Sequence, residues 1–322
     1  MTESTVCDVL FRPASDALQF LPEGPYQIDE SRFSWVGIQH GADSVVGSLN
    51  IFDLNAGTNQ SFDLPGRPGF AFPTNQEGIF VTGIERSVGL FDTQTGTFTT
   101  LATNIDHQVE NTIINDGMVF GDGLIFGCKE LEFKTKKAGL YWMAADGTTK
   151  QLRNDQICSN GKAALNDDPE SLKLIDIDSP SKQIVQIEIN LSTGEVKNET
   201  VIVDLTSEDV FPDGLIVTPD GKSLIVALYD PADPVAGQAR QYGIESGTLE
   251  HTWTCPGSPR VTCPQLIQHN GAVSLLLTTA VEHMEADQQA RHPNAGCLLI
   301  GNTNFDAPSQ QPKFPLNKFP LK

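Results

Sequence analysis

Four positions in this chain carry oxygen donors with a spacing that could bring them to one site. Each donor stands at or just before a glycine, in Glu23-Gly24, Asn115-Asp116-Gly117, Asn160-Gly161 and Asp213-Gly214. The successive gaps, counted from Glu23, are 92, 45 and 53 residues, close to multiples of one repeating unit. Equivalent positions of repeats arranged in a ring face one axis. Two carboxylates and two carboxamides would then meet there, and such oxygens bind hard cations.

The composition of this donor set indicates which cation and which chemistry to expect. Two carboxylates and two neutral amides cannot fill the coordination shell of a divalent ion, so positions remain open for water and substrate. An all-oxygen set favours Ca²⁺, Mg²⁺ or Mn²⁺, whereas a dedicated Zn²⁺ site would be expected to include His or Cys. A divalent ion with open positions polarises a carbonyl and lowers the pKa of bound water. The sequence therefore predicts a metal-dependent hydrolase, with Ca²⁺ as the first choice and Zn²⁺ the least favoured.

A recurring hairpin turn supports the repeat independently. Glycine ends a short turn between strand-like runs at five places, which are Asn55-Ala56-Gly57, Thr95-Gly96, Asp146-Gly147, Thr193-Gly194 and Ser246-Gly247. With the apolar run before each turn and the run holding each donor glycine, every unit has about four strands, as in a propeller blade. Six units can be counted. The predicted fold is all-β, a six-bladed β-propeller of four-stranded blades around a central metal site; the alternative is a pair of β-sandwiches.

The chain is expected to form one propeller domain over residues 1–322, because no Pro/Gly/Ser-rich linker divides it. A spare strand at Cys7–Phe11 could pair with the last blade and close the ring. That pairing would bring Cys7 near Cys297, so the sequence does not decide whether the two form a disulfide. The other cysteines show no spacing typical of a zinc site.

Net charge and hydropathy limit the classes of molecule that the protein is expected to bind. The formal net charge of −20 argues against binding to nucleic acid or to an anionic membrane. No apolar stretch approaches the roughly 18 residues that cross a bilayer, and the N-terminus lacks a basic region followed by an apolar signal segment. The expectation is a cytoplasmic protein, monomeric or weakly homo-oligomeric, that acts on a small-molecule lactone or ester.

These motifs carry a family resemblance. Leu21-Pro22-Glu23-Gly24-Pro25, Ile114-Asn115-Asp116-Gly117, Ser159-Asn160-Gly161 and Pro212-Asp213-Gly214-Leu215, in that order, resemble the gluconolactonase/regucalcin (SMP-30) family of six-bladed propellers over about residues 18–282. The four-ligand arrangement also resembles the calcium-dependent diisopropyl fluorophosphatases. The resemblance implies that Glu23, Asn160 and Asp213 bind the metal. It implies that Asn115 is a fourth ligand or orients the substrate, and that Asp213 also acts as a base or orients water.

Two departures from the family pattern concern the substrate. Many sugar lactonases of the family have an arginine that contacts sugar hydroxyls where this chain has Ile113, and an apolar side chain cannot replace a forked donor. A less polar lactone or ester is therefore favoured over an aldonolactone. Gly127 is followed by Cys128-Lys129-Glu130 where the family often has Thr-Met, so Glu130 or Lys129 is a further candidate for facing the substrate, with a solvated strand end as the alternative. The predicted function is a lactonase; the alternatives are an organophosphate or aryl-ester hydrolase and a non-enzymatic calcium-binding propeller.

Overall fold

Six β-sheets form the blades of a β-propeller in the computed structural model of the chain, which describes residues 3–308 and 311–316. The N-terminal elements are β1 (Glu3–Val6), β2 (Asp8–Phe11) and helix α1 (Asp16–Gln19). The first three blades are β3 (Pro22–Gln27), β4 (Arg32–Gly37), β5 (Ser48–Asp53) and β6 (Thr58–Asp63); β7 (Pro68–Pro73), β8 (Ile79–Ile84), β9 (Ser87–Asp92) and β10 (Thr97–Ala102); and β11 (Thr112–Phe120), β12 (Gly123–Glu130), β13 (Ala138–Met143) and β14 (Thr149–Gln156).

The remaining blades continue in chain order. They are β15 (Ser159–Ala164), β16 (Leu172–Asp178), β17 (Gln183–Asn190) and β18 (Glu195–Asp204); β19 (Phe211–Val217), β20 (Ser223–Tyr229), β21 (Ala236–Gly243) and β22 (Leu249–Pro256); and β23 (Val261–His269), β24 (Ala272–Thr279) and β25 (Leu298–Asn302), with a short helix α2 (Ala286–Arg291) before β25. A 3-10 turn, Ser179–Ser181, follows β16. Consecutive strands within each blade pair antiparallel in sequence order, and the N-terminal strands β1 and β2 are added to the fifth and sixth blades. The prediction of an all-β six-bladed propeller is confirmed.

The predicted turn glycines lie where the fourth strand of a blade folds back on the third. Gly57, Gly96, Gly147, Gly194 and Gly247 all have positive φ, between +65° and +83°. Glycine adopts this left-handed conformation without the steric cost that a Cβ would bring. The sixth blade has no such hairpin, because its outer strand comes from the N-terminus.

The N-terminal segment contributes to two blades. β2 pairs antiparallel with β25 as the outer strand of the sixth blade, and β1 adds in parallel to β22 as a fifth strand of the fifth blade. No disulfide joins Cys7 to Cys297, since all six cysteines are free thiols. Cys7 instead lies close to Cys255, and its interaction with that thiol together with burial raises the pKa of Cys255.

The hydrophobic core lies between neighbouring blades. One cluster joins Phe70 and Val81 of the second blade to Leu124 and Phe126 of the third. All eight residues of β12 are buried, so this second strand is covered on both faces. Packing between blades fixes the relative positions of the innermost strands, and these strands carry the predicted site. No helix in the described part of the chain is long and apolar enough to cross a bilayer.

The C-terminal residues 311–316 return to the first two blades. Phe314 is fully buried and forms a parallel bridge with Thr74. The Tyr26 hydroxyl donates to the carbonyl oxygen of Pro312 at 2.6 Å, and the Leu316 amide donates to Asn75 Oδ1 at 3.0 Å. Residues 311–316 therefore connect the C-terminal part of the chain to the first two blades.

Candidate metal and substrate site

A β-bulge near the start of each innermost strand positions the predicted ligands. The pairing of β3, β11, β15 and β19 with the next strand shifts directly after Glu23, at Asn115, directly after Asn160 and at Asp213-Gly214, respectively. A bulge adds a residue to one strand and redirects the local side chains. The innermost strands β7 and β23 shift in the same way, at Gly69 and Thr262. Glycine has no side chain and Thr262 donates to the carbonyl of Pro22, so four of the six bulges offer cation ligands.

These four side chains line one cavity of about 320 Å³ at the centre of the propeller. The structure thus brings together Glu23, Asn115, Asn160 and Asp213, which lie up to 190 residues apart in the chain. Asn115, Asn160 and Asp213 are buried, with Asp213 only 8% exposed, and Glu23 is partly buried. Above this polar floor the cavity wall is largely apolar, formed by Leu21, Ile38, Phe133, Pro180, Phe211 and Tyr229.

Hydrogen bonds hold the two carboxamides in fixed orientations. Asn115 Nδ2 donates to Asn160 Oδ1 and to the carbonyl oxygen of Ser159, both at 2.9 Å. Asn160 Nδ2 donates to Ser179 Oγ at 2.8 Å, and that hydroxyl donates to the carbonyl of Pro212 at 2.7 Å. Both amide nitrogens are therefore occupied; Asn160 Oδ1 accepts from Asn115, and among the described residues Asn115 Oδ1 has no donor.

The carboxylates carry an electrostatic cost in this arrangement. Burial raises the pKa of Asp213 well above its usual range, and the negative charges of Glu23 and Asp116 raise it further. Burial and the charge of Asp116 likewise raise the pKa of Glu23, against the opposing effect of the Gly24 amide and Lys129. Two acids crowded in a poorly solvated site favour protonation or a bound cation.

The donor set fits a hard divalent cation. Within the described residues no hydrogen bond reaches the carboxylate of Asp213, and none is donated to Asn115 Oδ1; one carboxylate oxygen of Glu23 accepts from the Gly24 amide at 2.9 Å. These oxygens border the cavity, where they can accept from water or bind a cation. Residues 3–308 and 311–316 hold no group of three or more His, Cys, Asp or Glu arranged for a metal. A cation here would therefore depend on the amide oxygens as well as on the two acids.

Ile113 and Glu130 do not line this cavity. Ile113 is only 3% exposed and pairs across the strands with Lys129, which does line it. The Glu130 carboxylate accepts from the backbone amide of Lys134 at 2.8 Å and forms an ion pair with Lys137 at 3.7 Å. Glu130 therefore organises the loop after β12, and a substrate contact by either residue stays a prediction.

Several lining residues were not predicted as site residues. Cys158 and Ser179 stand beside Asn160, and Glu282 and His283 lie at the rim. Hydrogen bonds fix the loop that contains Glu282 and His283. Arg260 donates to the backbone carbonyls of both residues, and the Tyr229 hydroxyl donates to the carbonyl of Glu282. This loop belongs to no repeat, so the spacing of the blades could not have revealed it.

Asp116 of the Asn-Asp-Gly motif lines a different cavity from its neighbour Asn115. That second cavity, about 220 Å³, lies further along the same innermost strands and also contacts Lys162 and the C-terminal Gln311 and Pro312. Burial raises the pKa of Asp116 to about 6, although Lys162 opposes the shift. Asp116 thus adds negative charge near the site without lining it.

The fold and this axial site define a six-bladed propeller with an oxygen-donor centre. The chain belongs to the SMP-30/gluconolactonase/LRE-like family, whose model matches residues 21–281. L-arabinolactonase of Azospirillum brasilense is 25% identical over 90% of this chain and 90% of its own length. Regucalcin of Gallus gallus is 26% identical over 62% of this chain and 64% of its own. The crystal structure of a calcium-binding protein, regucalcin, from Agrobacterium tumefaciens has a TM-score of 0.78 at 19% identity, covering 98% of this chain and 99% of that chain.

Proposed function

We propose that the protein is a divalent-cation-dependent hydrolase that opens a small lactone, with Ca²⁺ held by Glu23, Asn160 and Asp213 and assisted by Asn115. The observation that carries this proposal is the convergence of two carboxylates and two oriented carboxamides on one cavity floor, where among the described residues neither the Asp213 carboxylate nor Asn115 Oδ1 accepts a hydrogen bond. Family relatives named as lactonases support the reaction class. The calcium-binding relative of similar fold supports the choice of cation, with Mg²⁺, Mn²⁺ and Zn²⁺ as alternatives.

When bound, such a cation would supply Lewis-acid polarisation of the lactone carbonyl and would lower the pKa of a water beside it. The side chains of this chain would do the rest. The Asp213 carboxylate would accept a hydrogen bond from the attacking water and orient it, and would take its proton if a base is needed. Asn115 Oδ1 would accept from a substrate hydroxyl or from water, because its Nδ2 is already committed to Asn160 and Ser159. The apolar walls would limit access of other water.

The walls also favour a second candidate, hydrolysis of aryl esters or organophosphates. Phe133, Phe211 and Tyr229 line the cavity, and aromatic side chains suit an aryl group or an apolar alcohol. Both candidates use the same floor and differ in the substrate that the walls accept. A propeller that binds calcium without turnover is the non-enzymatic alternative.

Hydrolysis of a substrate panel would distinguish these functions. We expect calcium-loaded protein to open γ- and δ-lactones with alkyl substituents faster than gluconolactone, phenyl acetate or diisopropyl fluorophosphate, and chelation to abolish turnover. Asp213→Asn should reduce kcat/KM at least about a hundredfold, since it removes a charge that acts on the developing transition state. Asp167→Asn, at an exposed carboxylate outside the site, is the matched control. Full turnover after verified metal removal, or by Asp213→Asn, would refute the proposal.

A further inference from the structure

Lys129 is a buried cation on the wall of the candidate active site. It stands near the end of β12, is only 7% exposed, and lines the cavity together with Glu23 and Asp213. Its backbone bridges to Cys158 of the next blade, which fixes the strand at that point. Removing an ammonium group from water is unfavourable unless another group compensates its charge.

Lys129 has no such contact within residues 3–308 and 311–316. Among the described residues its side chain forms no hydrogen bond and no ion pair, although its charge is felt by Glu23 and Asp213. The other lysine buried near the axis behaves differently. Lys162 forms an ion pair with Asp176 at 3.5 Å and donates a hydrogen bond to the carbonyl of Asn160. Lys129 therefore has the features of a group whose partner arrives with the ligand.

The charge balance of the cavity floor indicates the sign of that partner. A divalent cation bound by Glu23 and Asp213 would neutralise both carboxylates, which would then no longer compensate the charge of Lys129. The carboxylate of Glu282, which also lines the cavity, lies 3.8 Å from His283 Nε2. A negatively charged group on the substrate would balance Lys129, and the surrounding apolar wall would strengthen the attraction by excluding water.

We infer that Lys129 binds an anionic group of the substrate, so that the natural substrate is a predominantly apolar lactone or ester that carries a carboxylate. This inference rests on the proposed function, because it assumes a cation at Glu23 and Asp213. It assigns a specificity-determining role to Lys129 and none in bond breaking.

Binding of small dicarboxylates to calcium-loaded protein provides the test. Succinate, glutarate and adipate each offer one carboxylate to the cation and a second to Lys129, whereas their monomethyl esters offer only the first. By isothermal titration, at least one of the three diacids should bind wild type about ten- to a hundredfold more tightly than its ester, as expected for a hydrogen bond to a charged group. Lys129→Met should abolish this preference and leave Ca²⁺ affinity within about threefold. Lys129→Arg should retain much of the preference.

Lys134→Met is the matched control, because Lys134 is exposed and pairs with Glu132 outside the cavity; it should preserve the preference. If Lys129→Met does not fold, Lys129→Gln replaces it. A preference for the diacid that survives in Lys129→Met, or that is absent from wild type, would overturn the inference. For lactones with and without a carboxylate, the variant should change relative KM and leave kcat similar; a loss confined to kcat would also overturn it. Absence of lactone turnover in wild type would refute the proposed function alone, since the binding measurement does not depend on turnover.

Discussion

Removal of the divalent cation should lower the thermal stability of the protein by an amount that can be estimated. Glu23, Asn160 and Asp213 come from three different blades, so a cation that binds all three binds the folded chain and not the unfolded one. Such a ligand stabilises the native state by about 2.7 kcal/mol when its concentration is about a hundred times Kd.

The corresponding shift in Tm follows from the size of the chain. Unfolding entropies of about 2.1 cal/mol/K per residue give about 0.7 kcal/mol/K for 322 residues. A stabilisation of about 2.7 kcal/mol then corresponds to a rise in Tm of about 4 °C at that calcium concentration. Differential scanning calorimetry of chelated protein, followed by titration with Ca²⁺, would measure it. Elemental analysis must show that the chelated sample has lost its metal.

Two variants sharpen this test. Glu23→Gln and Asp213→Asn should each lose most of the calcium-induced shift, whereas Asp167→Asn should keep it. In the absence of metal, Asp213→Asn should have a higher Tm than chelated wild type, because burial and the neighbouring acids disfavour the charged form of Asp213. A Tm that is unchanged by calcium in protein shown to bind it, or a full shift in both carboxylate variants, would contradict a stabilising cation site at Glu23 and Asp213.

Three substitutions elsewhere test the packing that positions the site. Phe314→Ala should lower the free energy of unfolding in urea by about 3–5 kcal/mol, because this fully buried ring anchors the C-terminal segment; a change near zero would show that the segment is not part of the folded core. Gly161→Ala should weaken Ca²⁺ binding and cost about 1–3 kcal/mol, since the added Cβ would lie 2.6 Å from the Leu215 nitrogen and 2.8 Å from the Asp213 carbonyl oxygen; wild-type affinity and stability would contradict that contact. Ile113→Arg should lower Tm and gain no activity on gluconolactone, because it would bury a guanidinium group away from the cavity; a stable variant that opens gluconolactone faster would contradict this placement of Ile113.

The fold was predictable because its local signals recur. Glycine at each outer hairpin satisfies a backbone requirement that is visible in the sequence, and every turn from Gly57 to Gly247 adopts the expected positive φ. Two features lay outside the repeat. β1 joins the fifth blade, and residues 311–316 return to the first two, since both depend on pairings between distant parts of the chain.

The site was predictable only in part. Convergence of Glu23, Asn115, Asn160 and Asp213 followed from their spacing, because equivalent strands of a ring share an axis. The orientation of neighbouring side chains did not follow, since each innermost strand contains a bulge that changes the alternation of faces. The sequence offered Ile113, Glu130 and Lys129 as candidates for facing the substrate; of these, Lys129 lines the cavity, and its cross-strand partner Ile113 does not.

A crystal structure of the calcium-loaded protein, with anomalous scattering used to locate the ion, tests the central claim most directly. We expect one Ca²⁺ at the cavity floor, with oxygens of Glu23, Asn160 and Asp213 at about 2.3–2.6 Å and water or substrate in the remaining positions. Density for the ion at any other place, with these three side chains free of it or with the two carboxylates neutralised by Lys129 instead, would contradict it.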